Sequence, residues 1–244
     1  MTHAHNLKMT AQQQHEFWLK FHRFQMRYEL MYAPKINKAI KAQVQTYIKH
    51  KDTVYVRSGE LYTTLVDLYK TTGPAWAYQT RAAHKQHKAG GQMGFSERIV
   101  SFMQQYFMSG LLNDAENITQ TTIRLISEVL SEAALEGWSF DEIVSKLVAP
   151  DFTAKRARLI ARTETVNAAN MGSMINLKLA GATKKIWIAA RDNSTREHHR
   201  EVNQTVIGID EQFKVGDSLM GWPGDKNGSA EEVCNCRCVV AGVV

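Results

Sequence analysis

The spacing of apolar residues changes once along this chain, and that change limits what it can fold into. Through roughly the first three quarters they recur at steps of three and four. Phe17, Phe21, Phe24, Tyr28 and Met31 make one stripe, and Ile36, Ile40, Val44 and Tyr47 carry it beyond Pro34. Such steps return side chains to one face of an α-helix. An aromatic stripe at this spacing reads as core or helix–helix interface rather than as a platform for stacked bases. Pro34 marks a kink or the start of a second helix. Ser58 as cap and Leu61, Leu65 and Leu68 predict a shorter helix over 58–70, which Gly73-Pro74 breaks. Ile99, Phe102, Met103, Tyr106 and Phe107 form the next stripe. Asn113 or Asp114 is expected to cap a further helix carrying Ile118, Thr122, Leu125, Ile126, Val129 and Leu130, closed by Gly137. Ser139-Phe140-Asp141-Glu142 has the order of a capping box, followed by Ile143, Val144 and Leu147 on one face. Pro150 separates this from a long helix over about 153–179, which Gly181 ends.

After Gly181 the helical period stops. Residues 184–190, Lys-Lys-Ile-Trp-Ile-Ala-Ala, are β-branched and aromatic, a strand signal. A short helix is expected over 195–202 with Ser194 as its cap. Thr205-Val206-Ile207 and residues 236–244 are further strand candidates, and Gly208, Gly216, Gly221, Pro223, Gly224 and Gly228 punctuate the loops between them. The fold class implied is α+β, a mainly α-helical N-terminal three quarters with a small mixed α/β C-terminal domain. Three segments are expected: a basic helical arm over 1–90, a helical region over 91–150, and the long helix plus the small α+β domain over 151–244.

Charge is divided as well. Residues 1–90 carry 14 Lys and Arg against 5 Asp and Glu, whereas the remaining 154 carry 16 against 19. The first stretch is therefore +9 and the second −3, which together give the net charge of +6, and seven of the nine histidines also lie in the basic stretch. Solvated lysine-rich faces and contact with nucleic-acid phosphate both fit this pattern. Arg81-Ala-Ala-His84-Lys85-Gln-His87-Lys88-Ala-Gly90-Gly91 reads as a flexible junction or exposed loop. Arg81, Lys85 and Lys88 also fall on one helical face, suited to phosphate.

With 44% hydrophobic and 22% charged residues, the chain is neither collagen-like, nor disulfide-stapled, nor wholly disordered. No run of about 18 apolar residues is present to span a membrane. Met1-Thr2-His3-Ala4-His5-Asn6 lacks the apolar core of a secretory signal, so a cytoplasmic origin is expected.

Chemistry-bearing residues concentrate near the end of the chain. The three cysteines lie together as Cys234-Asn235-Cys236-Arg237-Cys238, an odd and clustered set that makes a poor disulfide framework. On an extended strand their sulfurs would share one face. Other groups are Ala161-Arg162-Thr163-Glu164, Trp187 to Asp192, Asp192 to His199, and Trp222-Pro223-Gly224-Asp225. Three readings compete. His199, Cys236 and Cys238, with Cys234 or His198 as a further donor, offer the imidazole and thiolate ligands that zinc accepts, although Cys-x-Cys is closer than the usual pair spacing. Arg162, Glu164, Asp192, Arg196 and Arg237 suit a buried charge network tying strand ends to the long helix, and such a network must be fully paired. Finally, His199 as base and Cys236 as nucleophile would suit covalent catalysis. Set against all three, His198 and His199 also fit an exposed polar helix.

In their order these groups resemble the phage Mu F-like minor head protein family, also called head morphogenesis proteins, over about residues 117–244. The resemblance runs through an A-R-T-E helix at Ala161 to Glu164, a W-x-A strand at Trp187 and Ala189, and a D-x-x-T-R-x-x-H element at Asp192, Thr195, Arg196 and His199. It closes on N-C-R-C at Asn235 to Cys238. His198, Asn203 and Gln204 depart from the family's usual residues near the motif histidine, and Cys234 is additional. The resemblance implies a minor capsid protein of the virion, made in the host cytoplasm and acting at the head interior or portal vertex in head assembly, DNA packaging or ejection. Its implied partners are the portal protein, capsid or scaffolding proteins, and double-stranded DNA bound without sequence preference; no membrane is involved. Arg81, Lys85 and Lys88 become candidate DNA or portal contacts. Arg162, Glu164, Asp192, Thr195, Arg196, His199 and Arg237 become a structural motif network.

The family domain also occurs fused to toxin domains, but with the motif so near the last residue no C-terminal effector is expected. No enzymatic activity is expected. No paired-carboxylate metal motif, phosphate-cradling glycine loop or nucleophile elbow is visible. The rival reading is a nuclease or transferase using His199, Arg196 and Glu164. No cofactor is certain, with zinc at His199, Cys236 and Cys238 the candidate.

Overall fold

The computed structural model describes residues 9–80 and 95–243, so Arg81, Lys85 and Lys88 lie outside the described residues. Five long or medium helices come first: α1 (Ala11–His50), α2 (Gly59–Thr80), α3 (Phe95–Glu136), α4 (Phe140–Val148) and α5 (Pro150–Leu179). The small C-terminal region follows as β1 (Lys184–Ile188), α6 (Glu197–Glu201), β2 (Val206–Gly208), β3 (Phe213–Val215), β4 (Ser218–Met220), α7 (Ala230–Val233) and β5 (Val239–Val243). The fold is mainly helical with a few antiparallel strands in small C-terminal sheets, the α+β class expected.

Several expected helix ends are absent. Pro34 lies inside the unbroken α1. Leu30 and Pro34 are exposed there, so water can replace the donor that the proline lacks. Gly73-Pro74 does not end α2, which runs on to Thr80. A Cβ on Gly172 of α5 would lie 2.2 Å from the Gly73 carbonyl oxygen, and one on Gly73 would lie 3.0 Å from that of Ala168. Gly73 therefore permits a close helix crossing instead of a chain break. Neither Asn113 nor Asp114 starts a helix; both sit within the 42-residue α3.

Other signals hold. Gly137 and Gly181 adopt φ of 69° and 72°, and the N–H groups of Trp138 and Ala182 donate back to Ala133 and Leu177, the bonds of a glycine-terminated helix end. Ser139 and Glu142 form the capping box of α4. Pro150 occupies the first position of α5, where its missing N–H costs nothing.

The sheet has the order β2-β1-β5, all antiparallel. Lys184 pairs with Gly208 on one side and Val243 on the other, and Ile188 pairs with Val239. Ile186, Trp187 and Ile188 are all buried, so this central strand is apolar on both faces. The segment expected only as loops holds a second sheet, the hairpin β3–β4, in which Phe213 faces Met220 across a turn at Gly216. The helix expected over 195–202 shortens to α6. Ser194 is not its cap; Arg196 holds that position without a side-chain cap bond. The last strand starts at Val239, after the cysteines, so they do not share a strand face.

The chain separates into two compact units. One gathers the described residues of Met1–Tyr28, Tyr69–Gln104 and Arg162–Val244; the other gathers Glu29–Leu68 and Gln105–Ala161. The units interleave along the sequence. The core of the first includes Phe21, Trp76, Val166, Trp187, Val215 and Val239. That of the second includes Val44, Tyr47, Ile126 and Leu147.

Candidate functional site

The motifs that follow one another in the sequence become one neighbourhood in the first unit, and α5 is its spine. From Thr163 to Ser173 every residue of this helix is buried, including Glu164, Asn167 and Asn170. Buried polar groups require partners. Glu164 accepts from the Tyr69 hydroxyl (2.7 Å) and the Lys226 ammonium (2.7 Å). Asn167 donates to Tyr69 and accepts from the Trp222 indole N–H, both at 2.9 Å. Asn170 donates to the carbonyls of Pro223 (2.9 Å) and Cys238 (3.1 Å) and accepts from the Val240 N–H (2.9 Å). Three polar side chains at steps of three thus fix the Trp222-Pro223 loop and the start of β5.

The Asn235-Cys236-Arg237-Cys238 turn is held from four directions. Asn235 has a φ of 61°, a left-handed conformation that asparagine tolerates better than most residues. Its side-chain oxygen accepts from Arg162 (2.7 Å) and its N–H donates to the Thr163 hydroxyl (2.9 Å). Arg237 forms a fork with Asp192, Nε to Oδ2 at 3.0 Å and Nη2 to Oδ1 at 2.9 Å. Arg196 donates to the Cys234 carbonyl, and the Trp18 indole donates to the Arg237 carbonyl at 3.1 Å. Asp192 also closes its own turn by accepting from the Ser194 N–H (2.9 Å), while the Thr195 hydroxyl donates to the Ala190 carbonyl (2.8 Å). Burial raises the Asp192 carboxyl, but Arg237 and the Ser194 N–H outweigh it and hold the group below its ordinary value.

Beside this turn lies a compact buried cluster. His199 is 2% exposed, and its Nδ1 lies 3.3 Å from Cys238 Sγ and 3.8 Å from Cys236 Sγ. Two backbone N–H groups point at the sulfurs, Ala190 at Cys238 and Cys238 at Cys236, both at 3.4 Å. On the other side of the ring, His199 Nε2 lies 2.9 Å from Glu232 Oε2, at ion-pair distance but not in hydrogen-bond alignment. The second oxygen of Glu232 meets His198 Nδ1 at 2.7 Å, and this raises the His198 imidazole above its ordinary value. The Cys238 thiol, with help from His199, pulls Cys236 well below the usual thiol value against the effect of burial. Burial, together with the Cys236 contact, pushes Cys238 well above it.

The structure therefore divides the residues expected to form one network. Asp192 meets Arg237, whereas Arg162 meets Asn235, Arg196 meets a backbone carbonyl, and Glu164 faces Tyr69 and Lys226. His199 and the two buried cysteines meet each other. Cys234 is exposed, and His198 is half-exposed with Glu232 as partner. The sequence reading gave no role to Glu232, Asn167, Asn170, Tyr69 or Asn235. The two α5 asparagines carried a legible signal, polar residues three apart on a stretch otherwise rich in small apolar ones. Glu232 carried none, because α7 is only four residues long.

Residues 124–241 match the family described as Phage Mu protein F like protein. That match takes in just under half of the chain. Among curated relatives, Minor head protein GP7 of Bacillus phage SPP1 is 27% identical over 167 residues, 64% of this chain and 53% of that protein. Uncharacterized protein YqbB of Bacillus subtilis (strain 168) is 33% identical over 136 residues, 53% of this chain and 45% of that protein. NAD(+)--arginine ADP-ribosyltransferase EFV of Enterococcus faecalis (strain ATCC 700802 / V583) is 32% identical over 135 residues, but the match covers 26% of it. The chain thus spans about half the length of the first two relatives. No solved structure matches. The Mu F-like region holds the cluster, the turn and all but the N-terminal partners described above. Among the described residues, no helix is long and apolar enough to cross a membrane.

Proposed function

We propose that the protein is a minor component of a phage head that works at the portal vertex or head interior during assembly, packaging or ejection. The observation that carries this reading is the likeness to a phage minor head protein across most of the chain. On this reading residues 1–90 are a docking arm, 91–150 a helical connection, and 151–244 a recognition module. The arm's partner is the portal, a capsid or scaffolding protein, or double-stranded DNA. Its charge supports an acidic partner: Lys20, Arg23, Arg27, Lys35, Lys38, Lys41 and Lys49 are exposed along α1, whose only acidic residues are Glu16 and the buried Glu29. Arg81, Lys85 and Lys88 add to the positive charge of the arm. In the module, Arg162, Glu164, Asp192, Thr195, Arg196, His199 and Arg237 serve as scaffold. Burial supports a non-catalytic role, since His199, Cys236 and Glu164 are all closed off from solvent.

Mass spectrometry of purified heads assembled with and without portal protein tests the placement. The protein should be present in the first and depleted in the second; equal amounts in both would overturn portal association. Anisotropy titrations of the full chain with duplex DNA test the arm. Affinity should fall linearly on logarithmic axes with salt, by about 0.9 per phosphate neutralised. Salt-insensitive binding, or none, would assign the basic surface to a protein. The enzymatic alternative predicts cleavage of DNA or RNA that His199→Ala abolishes, and that result would overturn the scaffold reading.

A further inference from the structure

Three features of the buried cluster are unusual for cysteines that merely fill core space. Buried thiols normally behave as small apolar groups with no need of convergent polar neighbours. Here His199 Nδ1 and the two sulfurs lie within 4.8 Å of one another. Ligand atoms around one tetrahedral zinc lie about 3.5–3.8 Å apart, given Zn–S near ~2.3 Å and Zn–N near ~2.0 Å. The observed imidazole–sulfur separations of 3.3 and 3.8 Å bracket that spacing. The amide groups of Ala190 and Cys238 also aim at the sulfurs, as donors to anionic thiolates would. The ring nitrogen facing away from the sulfurs meets a buried carboxylate, Glu232, 2.9 Å away, and neither of these two atoms has a hydrogen-bond partner. A carboxylate that accepts the outer ring N–H of a metal-ligating histidine fixes the ring's tautomer and orientation, and Glu232 stands at the distance for that role.

We propose that His199, Cys236 and Cys238 bind one zinc ion, with Glu232 orienting His199 from the opposite side of its ring. The donor set is soft nitrogen and sulfur, which suits zinc and excludes magnesium or calcium. Each donor sits on a different support: α6 carries the histidine, the N-C-R-C turn carries Cys236, and the approach to β5 carries Cys238. A bound ion would therefore lock the turn to α6. Cys234 lies outside the site, because the left-handed Asn235 separates its exposed side chain from the buried pair. The inference stands apart from the proposed place in the phage head.

The test is metal analysis of the full chain, purified without chelator and without a histidine tag. About one equivalent of zinc is expected. A folded protein with less than about a tenth of an equivalent, or with copper or iron in zinc's place, would overturn the assignment. Cobalt(II) exchanged into the wild-type protein should give a thiolate-to-cobalt charge-transfer band, and its absence counts against thiolate ligation. Cys236→Ser should abolish both zinc retention and that band, whereas Cys234→Ser should keep them; equal loss in both would refute the ligand choice. Glu232→Gln should weaken zinc by about 10–100-fold in competition with a chromophoric chelator. Unchanged affinity would remove Glu232 from the site.

Discussion

Asp192→Ala isolates what holds the N-C-R-C turn against the rest of its unit. The substitution deletes two charge-assisted hydrogen bonds to Arg237 and the acceptor for the Ser194 N–H. Arg237 is left charged with a side chain only 12% exposed, whereas Asp192 itself is 35% exposed. Removing one partner of a fully buried pair costs about 3–5 kcal/mol, and an exposed pair contributes about 0–1. The observed burial lies between these limits, so we expect about 2–3 kcal/mol. For a chain of this size that corresponds to a fall in Tm of about 4–12 °C. Asp192→Asn keeps an acceptor for Ser194 and one for the guanidinium, and should lose about half as much.

Guanidinium chloride unfolding followed by tryptophan fluorescence gives the free energies, with Arg237→Ala and the double substitution completing a cycle. Coupling of about 1–2 kcal/mol is expected for residues in direct contact. The exposed pair Asp151–Lys155 supplies the control, and Lys155→Ala should change stability by less than about 0.5 kcal/mol. Because the native Asp192 carboxyl titrates below its unfolded value, the pair's contribution is complete above the unfolded value of about 4. It is lost as pH falls through the native value. The wild type and Asp192→Asn should therefore converge in acid. An Asp192→Ala stability within about 0.5 kcal/mol of wild type, or additive cycles, would refute a partly buried, coupled pair.

Glycine substitutions should have opposite signs at two helical positions. Gly172→Ala places a Cβ against the Gly73 backbone and should cost at least about 1–3 kcal/mol; Gly110→Ala meets nothing within 4 Å and should stabilise by about 0.5–1 kcal/mol. Calorimetry of the two variants checks this. Lys185 is buried in β1 with its ammonium 2.9 Å from the Gly221 carbonyl, and burial lowers it to about 8. Its unfolded value is near ~10.4, so its penalty is constant below the native value and is relieved as pH rises between the two. Wild-type stability should gain about 1–2 kcal/mol over Lys185→Met between those limits, after allowing for screening. Parallel denaturation midpoints at neutral and alkaline pH measure it. Ser139→Ala should cost about 1 kcal/mol by removing the α4 capping box, read from the same denaturation curves.

What could be read from the sequence followed periodicity, and what could not followed packing. The stripes marked α1, α2 and α3 as helical, though α3 as two pieces, and Gly137, Ser139 and Gly181 marked true ends because their signals are local hydrogen bonds. Gly73-Pro74 misled because its local tendency to break a helix is overridden by the crossing with Gly172. Asn113 and Asp114 misled because cap-forming residues are tolerated inside a helix when tertiary contacts hold it. Strands β3 and β4 are three residues each, too short for alternation to register. The cysteines were placed on one strand face because Cys-x-Cys-x-Cys alternates; Asn235 turned left-handed and broke the alternation. Motif residues were visible as residue types, but their partners were not: Thr195 and Arg196 meet backbone carbonyls, and Arg162, Glu164 and Asp192 meet side chains distant in sequence.

Those partners join the motifs to one another. Arg162 and Thr163 hold Asn235, Asp192 holds Arg237, Arg196 holds the Cys234 carbonyl, and Asn170 holds the Cys238 carbonyl. Five residues of turn are thus fixed by two well-separated stretches of chain. A turn with a left-handed asparagine and no regular secondary structure has little intrinsic preference for its shape. Each support is satisfied only when the others already hold the turn in place, since a displaced turn leaves buried donors on α5 without acceptors. Substitutions among these supports should consequently be less than additive: once one support is lost and the turn is released, losing a second costs little more. Independent surface pairs would add. The A-R-T-E, D-x-x-T-R and N-C-R-C segments are best understood as three parts of one cooperative joint, with the His199–Cys236–Cys238 cluster at its centre.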